Sequence, residues 1–314
     1  MGLRHFFYLL LFSLIILSCR KEPLTKHKEG YVSVEGGKIW YRILGQGEKT
    51  PVLLLHGGPG GTHRSFYQFE PIARDRQLIL FDQLGSGKSG VHQDTTLLKV
   101  ENFVAQVQAL REALKLEEVF LHGHSWGTAL ALESYLAHPE GVKGIVFNSP
   151  YFSTSIWEAD ADTLITYLPD SIQRAIETGE REGNFTSEAY QNANRFFMKN
   201  YGIRKEKPSN PWDTVQAKRN DFIYNYMWGP TEFTATGTLK NYDRLESLKE
   251  INVPTLFLTG EFDEARPTTV KRFQSRVMNS EFVVIDGAGH GTMHDNREQN
   301  VNAIRDFWNR LDSQ

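Results

Sequence analysis

Val119-Phe120-Leu121-His122-Gly123-His124-Ser125-Trp126-Gly127-Thr128 begins apolar and β-prone, turns at Gly-His-Ser-Trp-Gly, and runs on into Ala129-Leu130-Ala131-Leu132-Glu133. The last five are good helix formers. A strand, a sharp turn with a serine at its tip and a following helix form the context in which Gly-x-Ser-x-Gly presents a nucleophile. Gly123 and Gly127 sit two residues either side of Ser125, where a Cβ would collide with the neighbouring strand or helix across so tight a bend. The pentapeptide alone is a weak signal that many ordinary turns satisfy. A base, an acid and oxyanion donors must come from elsewhere in the chain.

Upstream, Tyr31 to Val34 and Ile39 to Ile43 read as a β-hairpin across Glu35-Gly36-Gly37-Lys38. Pro51-Val52-Leu53-Leu54-Leu55 is a continuous apolar run of buried-strand length, ending in His56-Gly57-Gly58-Pro59-Gly60-Gly61. Gln77 to Phe81 is another short strand, ending in Asp82-Gln83-Leu84-Gly85-Ser86-Gly87-Lys88-Ser89. Val100, Phe103, Val104, Val107, Leu110 and Leu114 fall on one helical face. The helix after Ser125 runs to His138-Pro139, and a strand follows from Val142 to Asn148.

This alternation predicts an α/β fold with a mostly parallel sheet and helices on both faces. Ligand sites in such sheets lie at the carboxyl ends of strands, where the His56 loop, the Asp82 loop and Ser125 all fall. From 150 to 248 the alternation stops, and amphipathic stretches such as Ser187 to Asn200 predict an inserted helical cap. It then resumes with a strand over Pro254 to Thr259, a helix over Thr268 to Val277, a strand over Phe282 to Ile285 and a helix over Asn296 to Leu311. The core is therefore expected over 30–149 and 249–314.

Asp263 follows one of these strands, in Gly260-Glu261-Phe262-Asp263-Glu264, and His290 follows the next, in Gly287-Ala288-Gly289-His290. The chain order Ser125, Asp263, His290 is that of an α/β-hydrolase. A serine hydroxyl is a poor nucleophile at neutral pH. His290 would take its proton, while Asp263 holds the imidazole in the right tautomer and stabilises the imidazolium. Glu261, Asp286 and His294 are the neighbouring competitors for these roles. The oxyanion hole is expected from the N–H of Trp126 and one from the His56-Gly57-Gly58 loop, with Gly58 preferred and Gly57 the alternative. Asp82 to Gly87 lacks the Gly-Lys-Ser/Thr that opens a phosphate-binding helix, so support beneath the active site is the better reading.

The composition is that of a globular and not a disordered chain: 314 residues, 40% hydrophobic and 23% charged. A net charge of -3 suggests no nucleic-acid partner. No zinc-type spacing occurs and the triad needs no metal, so no cofactor is implied. Arg4 and His5 precede an apolar run from Phe6 to Leu17, too short for the ~20 residues that span a bilayer. It fits a secretory signal over 1–18. Ile16-Leu17-Ser18-Cys19 resembles a bacterial lipobox, with the only cysteine as the lipidated new N-terminus. The alternative is a plain signal peptide or short membrane anchor with an incidental cysteine. Residues 19–29 then read as the lipidated cysteine and a flexible tether. The expectation is an exported, membrane-anchored lipoprotein on a periplasmic or outer-membrane face.

His56-Gly57-Gly58-Pro59-Gly60, Asp82-Gln83-x-Gly85-Ser86-Gly87-x-Ser89 and Gly123-x-Ser125-Trp126-Gly127 together resemble the proline iminopeptidases, serine aminopeptidases of the α/β-hydrolase fold. Met227-Trp228-Gly229-Pro230-x-Glu232-Phe233-Thr234 and Gly260-Glu261-Phe262-Asp263-Glu264 are similar to the tricorn-interacting-factor branch. The resemblance covers about residues 30 to 312. It implies an enzyme that releases an N-terminal proline or other small or apolar residue from short peptides through an acyl-enzyme. It also implies that Glu232 and Glu264 bind the substrate's free α-amino group, since an ammonium relieves two carboxylates that repel each other under a lid. Trp126, Tyr226, Trp228 and Phe233 are candidate walls for the first residue. His124 and Thr128 stand where the family often has glycine, and Leu84 replaces a common arginine, which loosens the expectation of strict proline specificity. An esterase or amidase of the same fold, with no need for a free amine, is the alternative.

Overall fold

The apolar runs pair into one eight-stranded sheet. The structure, a computed structural model, describes residues 27–91, 93–206 and 218–313. β1 (His27–Val34) and β2 (Gly37–Leu44) form the hairpin. With β3 (Lys49–Leu55), β4 (Arg76–Phe81), β5 (Val119–His124), β6 (Val142–Asn148), β7 (Thr255–Gly260) and β8 (Ser280–Ile285), the order is β1-β2-β4-β3-β5-β6-β7-β8. β2 pairs antiparallel with both neighbours, and the strands from β4 to β8 pair in parallel.

Strands buried on both faces need apolar residues at every position, as β3 has. Leu53 and Leu55 face one side, packed in one core with residues of α1 (Val100–Ala113) and α2 (Trp126–Ala137). Val52 and Leu54 face the other, in a second core with the 3-10 stretch His63–Arg74 and the closing helix. The cap carries α3 (Thr154–Ile165), α4 (Asp170–Glu182), α5 (Glu188–Phe197) and α6 (Asp221–Met227). Leu164, Ile176, Tyr190 and Phe197 give it a small core of its own. The core ends with α7 (Pro267–Gln274), a single turn α8 (Thr292–Asp295) and α9 (Arg297–Leu311). The helix expected over Ser187 to Asn200 starts after Ser187, whose side chain caps the Tyr190 N–H, and becomes a π turn over Met198–Gly202.

The tether expected to reach residue 29 is shorter than that. β1 begins at His27, and Glu29 accepts hydrogen bonds from Trp40 Nε1 at 3.1 Å and Lys88 Nζ at 2.9 Å, besides pairing with Arg42. Charge pairing across the hairpin holds this polar segment in the sheet, which hydrophobic periodicity could not reveal. The signal stretch 1–18, Cys19 and the rest of the tether lie outside the described residues. Among the described residues no helix is long and apolar enough to cross a membrane.

β5 also buries His122 among Phe66, Phe69 and Trp308, with neither ring nitrogen hydrogen-bonded among the described residues. Burial first, and the proximity of His124 second, drive its pKa well below 6.5. His124 is lowered to about 4, by burial first and then by His290. Both rings are neutral in the fold, but the unfolded chain protonates them at about 6.5. The unfolded state then binds more protons, so stability should fall as the pH drops from about 6.5 through about 4. Thermal melts across that range will show the decline, and His122→Leu should flatten it. An unaltered slope in that variant would remove His122 as a cause.

Candidate active site

The backbone at Ser125 has φ 56° and ψ -127°, a conformation that a residue with a side chain adopts only when its surroundings enforce it. Those surroundings are visible. The Ser125 N–H donates to the Asn148 carbonyl at 3.1 Å, while the Ser125 carbonyl accepts from Thr128 N at 2.8 Å and Thr128 Oγ1 at 2.7 Å. A Cβ on Gly123 would lie 2.2 Å from the Gly127 carbonyl oxygen, and one on Gly127 would lie 2.0 Å from that of Leu55. Only glycine permits α2 to approach β5 and β3 this closely.

Asp263 lies just beyond β7 and His290 just beyond β8. His290 Nδ1 donates to Asp263 Oδ1 at 2.9 Å. The same oxygen accepts from the Ala265 N–H at 2.9 Å, and Oδ2 accepts from Thr259 Oγ1 at 3.1 Å and the Gly260 N–H at 3.2 Å. Burial alone would raise the carboxyl's pKa, but the charge and hydrogen bond of His290 outweigh it and hold the pKa down. His290 is anchored on both sides of its own peptide. Its N–H donates to the Tyr201 carbonyl at 2.7 Å, and its carbonyl accepts from His124 Nε2 at 2.9 Å and Ser149 Oγ at 3.1 Å. The Trp157 ring meets the imidazole edge-on, with centroids 5.4 Å apart. The competitors point elsewhere: Glu261 accepts from the Gly287 N–H at the surface, Asp286 is exposed, and His294 packs on Tyr67.

Ser125, Trp126, Gly58 and Pro59 line one small cavity, together with Tyr151, Trp157, Trp228, Glu232 and Leu239. Gly57 packs behind Ser125 instead: a Cβ there would sit 2.9 Å from Ser125 Cβ. The cavity therefore sees Gly58, the preferred of the two glycines. Gln83 ties the two sides together. Its backbone N–H donates to His56 Nε2 at 3.1 Å, its Nε2 donates to the His56 carbonyl at 3.1 Å, and its Oε1 accepts from Trp126 Nε1 at 3.1 Å. One buried amide thus braces both the loop that carries Gly58 and the residue after Ser125. Gln83→Leu should lower kcat by about ten- to a hundredfold with little change in KM, because misplacing donors by a fraction of an ångström weakens transition-state contacts most. Steady-state kinetics will separate the two, and a rise in KM alone would contradict the bracing role.

Glu264 is 1% exposed, and neither carboxylate oxygen accepts a hydrogen bond among the described residues. Burial, the proximity of Glu232 and that of Asp263 push its pKa well up, against the pull of His290. Glu232 comes from the cap and lines the cavity. The buried phenol of Tyr224 has its own pKa raised by burial first and then by Glu232, with Glu264 adding to it, so the two glutamates converge on one region. A buried carboxylate without donors is costly unless a cation meets it.

Of the walls suggested by sequence, Trp126 and Trp228 line the cavity. Phe233 packs into the cap core instead, and Tyr226 stacks on Phe222. Tyr151 and Trp157 complete the wall; neither belongs to a motif, and only the packing of the cap brings them in. Trp157 Nε1 also donates to the Glu232 carbonyl at 3.0 Å, fixing the cap loop over the site.

The arrangement can perform acyl transfer on a small substrate with a cationic end. A family model described as the α/β-hydrolase fold matches residues 50–297. A proline iminopeptidase of Heyndrickxia coagulans is 40% identical over 287 residues, covering 91% of this chain and 100% of that one. One from Lactobacillus helveticus is 35% identical over 291 residues, covering 90% and 98%. The crystal structure of a Mycobacterium smegmatis proline iminopeptidase superposes with a TM-score of 0.81 at 26% identity, covering 91% of this chain and 99% of that one.

Proposed function

The chain belongs to the proline iminopeptidase family of the α/β-hydrolase fold, and from that membership we propose a serine aminopeptidase that releases an N-terminal proline or other small apolar residue from short peptides. Ser125 attacks the first carbonyl carbon while His290 accepts its proton, and Asp263 holds the imidazole and balances its charge. The N–H groups of Trp126 and Gly58 receive the developing oxyanion. His290 returns the proton to the departing amine, and water activated by the same ring then hydrolyses the acyl-enzyme. Glu232 and Glu264 hold the substrate's α-ammonium, and the ring of the first residue lies against Tyr151, Trp157 and Trp228.

The observation that carries this reading is Glu264: a buried carboxylate without hydrogen-bond donors among the described residues, beside the catalytic histidine. Prolyl- and alanyl-anilides with free and with acetylated amines test the reading, with Ser125→Ala as the blank. Turnover of the free amines alone is expected. Equal turnover of acetylated substrates would move the protein to the esterase or amidase class.

The N-terminal sequence further supports an exported, lipid-anchored form, since the apolar run from Phe6 to Leu17 is followed at once by Ser18-Cys19. Incorporation of labelled palmitate, lost in Cys19→Ala, is the expected result. Unchanged incorporation in that variant would remove the anchor.

A further inference from the structure

The aromatic rings that wall the cavity at Ser125 are pinned in place. Trp157 Nε1 donates to the Glu232 carbonyl at 3.0 Å, Trp228 Nε1 donates to the Thr231 carbonyl at 2.8 Å, and the Tyr151 hydroxyl pairs with Thr154 Oγ1 at 2.6 Å. The rings also meet edge-on, with the Tyr151 centroid 5.8 Å from that of Trp157 and 5.4 Å from that of Trp228. Leu239 belongs to the same wall but differs in kind. It is aliphatic, it is 4% exposed, and it backs onto a second space, a cleft of about 300 Å³ between the start of α1 and the end of α6. Lys99 and Thr238, both exposed, open that cleft to solvent. Among the described residues, Leu239 is the one that lines both spaces.

We propose that Leu239 is the partition that sets the size limit for the substrate's first residue: its isobutyl group ends the cavity, and only the cleft beyond it has room for a longer side chain. This rests on the aminopeptidase reading above and gives that reading a specificity determinant. The backbone that carries Leu239 is held from both sides. Its N–H donates to the Met227 carbonyl at 2.8 Å, and its carbonyl accepts from Thr154 Oγ1 at 2.7 Å and the Tyr242 N–H at 2.8 Å. The two residues before it are tied to the end of α6 as well, Gly237 N–H to the Trp228 carbonyl at 2.6 Å and Thr238 N–H to the Tyr226 carbonyl at 3.1 Å. Surroundings fixed in this way relax only partly when a side chain is cut back, so the volume removed stays open. Proline and alanine are compact and need none of that volume. Leucine and phenylalanine reach further from the backbone and meet the partition.

The test compares kcat/KM of the intact protein for prolyl-, alanyl-, leucyl- and phenylalanyl-anilides with free amines. The wild-type protein should favour the first two. Leu239→Ala should raise the phenylalanyl-to-prolyl ratio at least about tenfold, since a single methylene in an apolar pocket already discriminates about ten- to two-hundredfold. Leu239→Val should move the same ratio in the same direction by a smaller factor, and it carries the test if the alanine variant does not fold. Leu239→Phe should move the leucyl-to-alanyl ratio the other way. Equal wild-type turnover of all four substrates would overturn the partition. So would ratios left unmoved by the variants, or a uniform loss on every substrate, which is what a merely structural Leu239 would give. With turnover still confined to free amines, those results would leave the aminopeptidase reading standing. Turnover indifferent to acetylation would remove that reading and the partition with it.

Discussion

Asp263→Asn is expected to lower kcat by about ten-thousandfold while leaving the fold intact. Both carboxylate oxygens of Asp263 face donors: Oδ1 meets His290 Nδ1 and the Ala265 N–H, and Oδ2 meets Thr259 Oγ1 and the Gly260 N–H. An asparagine must turn its amide NH2 toward one of these pairs. If it faces His290, the ring has to accept at Nδ1 and carry its proton on Nε2, the nitrogen that should take the serine proton. If it faces Gly260, an N–H is set against an N–H, and the amide oxygen left beside His290 has no charge with which to balance an imidazolium. Either way the tautomer or the stabilisation is lost. Steady-state kinetics on a free-amine anilide, with a thermal melt as control, measures this. A kcat within tenfold of wild type would remove Asp263 from the mechanism and reopen the choice of acid.

The other large effect is expected at the paired glutamates. Glu264→Gln and Glu232→Gln should each lower kcat/KM for a free-amine anilide by roughly a hundred- to a thousandfold, the size of removing one partner of a buried charge pair. Glu264→Gln should show the larger loss, because its carboxylate is fully buried whereas Glu232 is only partly so. The preference for free over acetylated amines should collapse in both. Retention of full selectivity in both variants would strip the glutamates of their role.

Much of this architecture was legible in the sequence, because much of it is set locally. The alternation of apolar strands with amphipathic helices reports a sheet covered on both faces. Gly123 and Gly127 announce the turn at Ser125, since the steric demand of that turn is met within a few residues. The positions of Asp263 and His290 follow from strand ends and chain order. Family motifs brought Glu232 and Glu264 to notice, but their roles came from resemblance and not from spacing.

Other features depend on contacts between distant parts of the chain. Gln83 braces His56 and Trp126, which lie 27 and 43 residues away, through hydrogen bonds that no local pattern encodes. Trp157 reaches His290 only because the cap folds back over the sheet, and Tyr226 and Phe233 are excluded from the cavity by the same packing. His27 to Glu29 joins the sheet through charge pairs to Arg42 and Lys88, which hydropathy does not register. The 3.6 Å between Glu264 and the ring of His290, and the absence of hydrogen-bond donors to Glu264 among the described residues, follow from burial after folding. The sequence by itself determined the order of the elements and the chemistry they carry, because periodicity and turn sterics act over a few residues. Only the tertiary structure decided which charges share a desolvated space, because desolvation is a property of the packed whole.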